Sequence, residues 1–143
     1  MAKQSKNKVK IEHEYTNIGR IPKGALKEIR QYFDVPEEAT SIRANIDNTI
    51  KHNKLHFDEI KDILAKLGMS KEAYIKYIAS SFNQVRIGNK PKSLVLACKT
   101  EDTGHIAAVH LTYKKGENFW LVKSVHVKRL ADLERIDLIW ERQ

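Results

Sequence analysis

The chain has 143 residues, 41% of them hydrophobic and 31% charged, with a formal net charge of +8. That length has room for one core, burying roughly two thirds of the surface an unfolded chain exposes, which argues against two domains. No apolar run approaches the roughly 20 residues that span a bilayer, so a soluble protein without membrane partners is expected, with the cytoplasm as its site of action even if it is delivered into a target cell.

Residues 1–12 are polar and aperiodic, and Lys3, Lys6, Lys8 and Lys10 precede the first acidic residue, Glu12. They read as a basic flexible tail ahead of a single domain over 13–143. A basic surplus favours phosphate-bearing partners through counterion release, without choosing between RNA, DNA, an anionic surface and an acidic protein. The N-terminus lacks the apolar stretch of a secretory signal. Cys98 lies in Leu94-Val95-Leu96-Ala97-Cys98 and has no internal partner for a disulfide, so it is expected to pack as a small hydrophobe.

Pro22 suits the first turn of a helix running to about Phe33, whose stripe is Leu26, Ile29 and Phe33. The segment 41–46 fits either a short strand or a helix start. Asp47 is a plausible cap for a short helix from Asn48 to about His56, which would set His52 and His56 on one face at i and i+4. Ile60, Ile63, Leu64 and Leu67 mark an amphipathic helix closed by Gly68, and Ser70 caps the next, which carries Tyr74, Ile75, Ile78 and Phe82.

Beyond Gln84 the apolar period falls from about 3.6 to 2. Strands are expected near 85–87, 93–99, 105–113, 119–127 and 136–140, joined by turn-like spacers such as Lys114-Lys115-Gly116-Glu117-Asn118. Short turns favour an antiparallel meander. The expected fold is therefore α+β, with N-terminal helices packed on a C-terminal four- to five-stranded antiparallel sheet.

Strand alternation sorts the side chains. Leu94, Leu96 and Cys98, then Ala107, Val109 and Leu111, then Phe119, Leu121, Val125 and Val127 are assigned to the helices. The opposite face gathers Lys99, His110, Thr112, Trp120, Ser124, His126 and Lys128. Lys123 then falls on the apolar side, which demands a bulge or an exposed rim.

A face with two histidines, a serine and lysines suits phosphodiester chemistry. A group near neutral pKa takes the proton from a ribose 2′-hydroxyl, a second protonates the leaving 5′-oxygen, and cations or hydroxyls hold the charged phosphorane. With the nucleophile internal to RNA, neither metal nor other cofactor is required. His52 and His56 have the spacing of helical zinc sites, but His-Asn-Lys-Leu-His lacks the glutamate of the zinc-protease motif. Each such residue is also ordinary on a half-exposed sheet face.

Four elements in order carry a family resemblance: Ile18-Gly19-Arg20-Ile21, the pair His52 and His56 with Asp58-Glu59-Ile60 following, a helix leading into Val85-Arg86-Ile87, and strands containing Val122-Lys123-Ser124-Val125. The chain resembles the phage-borne and polymorphic-toxin nuclease domains grouped with barnase, EndoU, colicin-type tRNases and RelE. The resemblance implies a barnase-like helical cap on an antiparallel sheet, and RNA, tRNA included, cut without a metal to 2′,3′-cyclic phosphate and 5′-hydroxyl ends. It implies a cognate immunity or antitoxin protein as a partner. It points to His52 and His56 as catalytic or RNA-contacting and Ser124 as a phosphate ligand; His110 and His126 as further catalytic candidates, and Lys99, Lys128, Thr112 and Trp120 as RNA contacts, rest on the residue pattern. Barnase-type enzymes use a carboxylate base, and no acidic residue falls on the proposed face. The alternative is a non-catalytic nucleic-acid-binding domain or a phage-encoded inhibitor protein.

Overall fold

The computed structural model describes residues 15–143, so the basic tail expected over 1–12 lies outside the described residues. The elements are β1 (Thr16–Arg20), α1 (Lys23–Ile29), β2 (Ser41–Ala44), α2 (Ile46–His52), α3 (Lys54–Glu59), α4 (Lys61–Leu67), α5 (Lys71–Ser81), β3 (Gln84–Ile87), β4 (Ser93–Lys99), β5 (Thr103–Lys114), β6 (Glu117–Arg129), α6 (Leu130–Leu133) and β7 (Leu138–Glu141). Among these, no helix is long and apolar enough to cross a membrane.

The expected meander is present: β3 to β6 pair antiparallel in sequence order. The β5–β6 turn places Lys115 (φ 51°) and Gly116 (φ 79°) in the left-handed region, the type I′ geometry whose twist matches the flanking strands. The four- to five-stranded antiparallel sheet is nonetheless incorrect. A single seven-stranded mixed sheet runs β1-β2-β6-β5-β4-β3-β7, and β2 lies parallel to β6 through Ile42 opposite Trp120 and Arg43 opposite Leu121. The helical segment between β2 and β3 supplies the long connection that parallel pairing needs; β1 and β2, of five and four residues, are too short to show a period of 2, while the strand expected near 136–140 is β7.

One sheet face carries the main core, where Leu94, Leu96, Val109, Trp120 and Val125 meet Ile29, Phe57, Ile75 and Ile78 from the helices. Cys98 is buried there, and burial pushes its thiol up to about 12. The second face holds a small cluster, Val95, Ala97 and Ile106 under Leu133 of α6. Gly104 allows that seat, since a Cβ there would stand 2.9 Å from Leu133 Cδ2.

Strand β6 contains the bulge that Lys123 demanded. Val109 pairs with Val122 and Ala108 with Ser124, leaving Lys123 unpaired and exposed. The extra residue inverts the alternation on its N-terminal side. Trp120 and Val122 therefore face the helices, while Phe119 and Leu121 turn to the second face, opposite to their assignment from strict alternation. Trp120 is fully buried and donates its Nε1 hydrogen to the Ala39 carbonyl at 2.9 Å.

The helical segment departs from its expected outline at the same place. Asn45, not Asp47, caps α2, accepting from the Asn48 amide at 3.1 Å, and the helix stops at Asn53 (φ −112°, ψ 26°). His52 and His56 thus lie on separate helices instead of sharing one face. Ile60 likewise divides α3 from α4, while Gly68 (φ 68°) and Ser70 cap as expected. Buried Asn53 spans the bulge: its amide donates to the Lys123 carbonyl at 3.2 Å and its carbonyl accepts from the Val125 amide at 3.4 Å. Because β2 pairs with β6 only at Trp120 and Leu121, this one side chain stands in for a strand partner.

Replacing Asn53 by Ala strands buried backbone groups on β6, a loss of about 1–3 kcal/mol. Urea unfolding should show a lowered midpoint for Asn53→Ala; an unchanged midpoint would refute the clamp.

Candidate functional site

On the second face, β4 contributes Ser93, Val95 and Ala97, β5 contributes Ile106, Ala108 and His110, and β6 contributes Ser124, His126 and Lys128. The segment after α6 rises beside them and makes a cleft of about 480 Å³. Small and apolar residues form its floor. Its polar lining includes Ser93, Ser124, His126, Lys128, Arg135 and Asp137. Lys128 and Arg135 make no ion pair within 4.0 Å of a described carboxylate, although both, after Arg129, help to hold the Asp132 carboxyl below its usual range.

His126 is the deepest titratable group of the cleft. Its Nδ1 is buried without a hydrogen-bond partner. Across it lies His56, delivered from α3 by the break at Asn53, with ring centroids 5.1 Å apart and planes 29° from parallel. Burial first, then the neighbouring His56, then Lys128, push the His126 pKa down to about 4. At neutral pH His126 is therefore uncharged and can accept a proton. Two imidazoles from elements 70 residues apart in sequence thus meet on one face.

The other candidates separate from this pair. His52 is exposed and lines a different pocket, with Tyr15, Asn45, Asn48 and Lys123. His110 lies on the second face between Ser93 and Leu121 but outside the cleft lining; burial, then Lys123 and Lys90, lower its pKa. Thr112 donates its hydroxyl to the His110 carbonyl at 3.0 Å. Trp120, buried on the helical face, offers no stacking surface to RNA. Lys99 is engaged with Glu134 at 2.7 Å, and buried Arg86 reaches the same carboxylate at 3.2 Å. That contact, chiefly the Lys99 hydrogen bond, holds the Glu134 carboxyl below its usual range.

Sequence reasoning missed Arg135 and Asp137, whose positions between α6 and β7 carry no periodic signal. It also missed His105, which is buried on the helical side with its Nδ1 2.7 Å from the Tyr74 hydroxyl. Burial lowers the His105 pKa and raises that of Tyr74, as for a neutral hydrogen-bonded pair of the core. Comparison with family models, curated proteins and solved structures gives no match to this chain.

Folding selects the neutral form of His126. The unfolded histidine takes up its proton near its ordinary pKa of about 6.5, the folded one only near 4. The unfolded state consequently binds more protons between those values, and stability present above about pH 6.5 is lost as the pH falls towards 4. NMR should place the His126 midpoint near 4. His126→Asn should flatten the decline in unfolding free energy over that window, leaving the part due to His105 and His110; identical slopes would count against the assignment.

Proposed function

We propose that the protein is a metal-independent endoribonuclease, and that its active site is the pair formed by His126, which lines the cleft, and His56, which stacks on it from outside the cleft lining. The observation that carries this reading is the stacked pair itself, beside Ser124 and the unpaired cation of Lys128. The environments of two neighbouring titratable groups assign acid and base when they differ. Here His126, held neutral, serves as base, and His56 serves as acid.

In the reaction, His126 takes the proton of a ribose 2′-hydroxyl and the oxygen attacks the adjacent phosphorus. The bond from phosphorus to the 5′-oxygen breaks as that oxygen receives a proton from His56. A 2′,3′-cyclic phosphate and a 5′-hydroxyl result. Ser124 donates to a phosphate oxygen, while Lys128 and Arg135 offset its growing charge. An RNA substrate, tRNA included, and a cognate inhibitor protein as partner belong to the same proposal, as does kinship with the toxin nucleases.

A second reading, non-catalytic binding of nucleic acid in this cleft, is favoured by one observation: a pKa near 4 makes His126 a weak base.

The two readings separate when purified protein is incubated with total RNA in excess chelator and the ends are analysed. Cyclic phosphate termini are expected, with cleavage reduced about 100-fold or more in His56→Ala and about tenfold to 100-fold in Ser124→Ala. Bound but intact RNA would establish the second reading instead.

A further inference from the structure

The pocket that takes His52 away from the cleft has its own composition. It measures about 340 Å³, within the range of small-ligand sites, and Tyr15, Asn45, Asn48, His52, Leu121 and Lys123 line it. Tyr15 is positioned as a platform: its ring lies 5.7 Å from that of Phe119, and the Lys114 ammonium stands 5.4 Å from its centroid. Among the described residues, the side chains of His52, Asn48 and Lys123 make no hydrogen bond or ion pair, leaving an imidazole, an amide and an ammonium to a ligand.

This pocket and the cleft are neighbours along one strand. Lys123, the bulged residue held by Asn53, lines the first, and the next residue, Ser124, lines the second. From Leu121 to Ser124 the strand advances roughly 10 Å, within reach of a nucleotide whose phosphate rests in the cleft. An aromatic ring with a convergent amide, imidazole and ammonium is the chemistry that receives an unpaired nucleobase: the ring stacks, and the polar groups meet the base edge. The donors outnumber the acceptors, which suits bases carrying exocyclic carbonyl oxygens.

We propose that the pocket between β6 and α2 is a nucleobase subsite selecting guanine or uracil next to the scissile phosphate, and that His52 reads the base there. This rests on the reading of the cleft as an RNA site, but it assigns His52 to recognition, not to proton transfer.

The test is an NMR titration of the full chain with guanosine, uridine and adenosine 3′-monophosphates and with ribose 5-phosphate, which lacks a base. Guanosine and uridine nucleotides should shift Asn48, His52 and Lys123 more than the adenosine nucleotide does. Ribose 5-phosphate should shift Ser124 and Lys128 alone. His52→Ala and Asn48→Ala should each weaken guanosine monophosphate at least fivefold while ribose 5-phosphate binds as before. Base-dependent shifts in a protein that leaves RNA intact would uphold the subsite and sink only the catalytic reading. Cleavage of RNA by a protein whose Asn48 and His52 respond equally to ribose 5-phosphate and to nucleotides, or to neither, would overturn the subsite alone. No response in cleft or pocket would overturn both.

Discussion

The single unpaired residue in β6 determines what each face of the sheet can do. Lys123 interrupts the ladder between Val122 and Ser124, so the apolar set changes parity there: Trp120 and Val122 before it, Val125 and Val127 after it, all serve the helical core. Ser124, His126 and Lys128 are left together on the second face. A bulge also opens backbone groups that must find partners. Asn53 supplies them, and to do so it leaves helical geometry. The same residue that secures the bulge therefore splits α2 from α3, sending His52 to one pocket and His56 onto the ring of His126. Strand register and histidine placement are one event.

Much of this was legible in the sequence, up to the bulge. The change from helical to alternating period located β3 to β6, and alternation placed Ser124, His126 and Lys128 on the second face because all three lie on the same side of the irregularity. It failed for Phe119 to Val122, which lie on the other side. The warning was present as Lys123, a charge on the apolar face, but position 123 could be accommodated by an exposed rim as well as by a bulge, and only the Asn53 contacts decide between them. The separation of His52 from His56 was hidden for a related reason. The segment around Asn53 fits helical spacing, and the competing demand on its amide comes from a strand 70 residues later. Short strands carried too little pattern for β1 and β2 to join the sheet, so the parallel pairing was invisible.

The electrostatics of the cleft follow from that placement. A solvated histidine would gain nothing from a neighbour's ring, but His126 is partly buried, and His56 stacks on it while Lys128 lies close. Each acts in the same direction, against a second positive charge. The environment thereby holds His126 in its neutral form at neutral pH. His105, also neutral, achieves its state without such a neighbour: its ring nitrogen meets the Tyr74 hydroxyl, and no polar cavity adjoins it among the pockets described. Depressed basicity alone thus does not mark a site. What distinguishes His126 is a buried Nδ1 without a partner on a residue that lines a charged cleft.

What turns the second face from a bare sheet surface into a cleft is the segment from α6 to β7. Leu133 covers Val95, Ala97 and Ile106, and Gly104 leaves it the space. Apolar contact by four residues would hold so short a helix weakly. Its fixity comes from Arg86, nearly all buried, which donates to the Ile136 carbonyl at 2.6 Å and to Glu134 at 3.2 Å while Gln84 orients its Nε. Lys99 completes the bridge on Glu134. The cations of β3 and β4 are thus committed to building the wall, and those left for an anion, Lys128 and Arg135, stand on either side of the space that the wall encloses. Lys99 belongs to the same face by alternation and to a different task by position, a distinction that turns on Glu134, a residue with no periodic signal of its own.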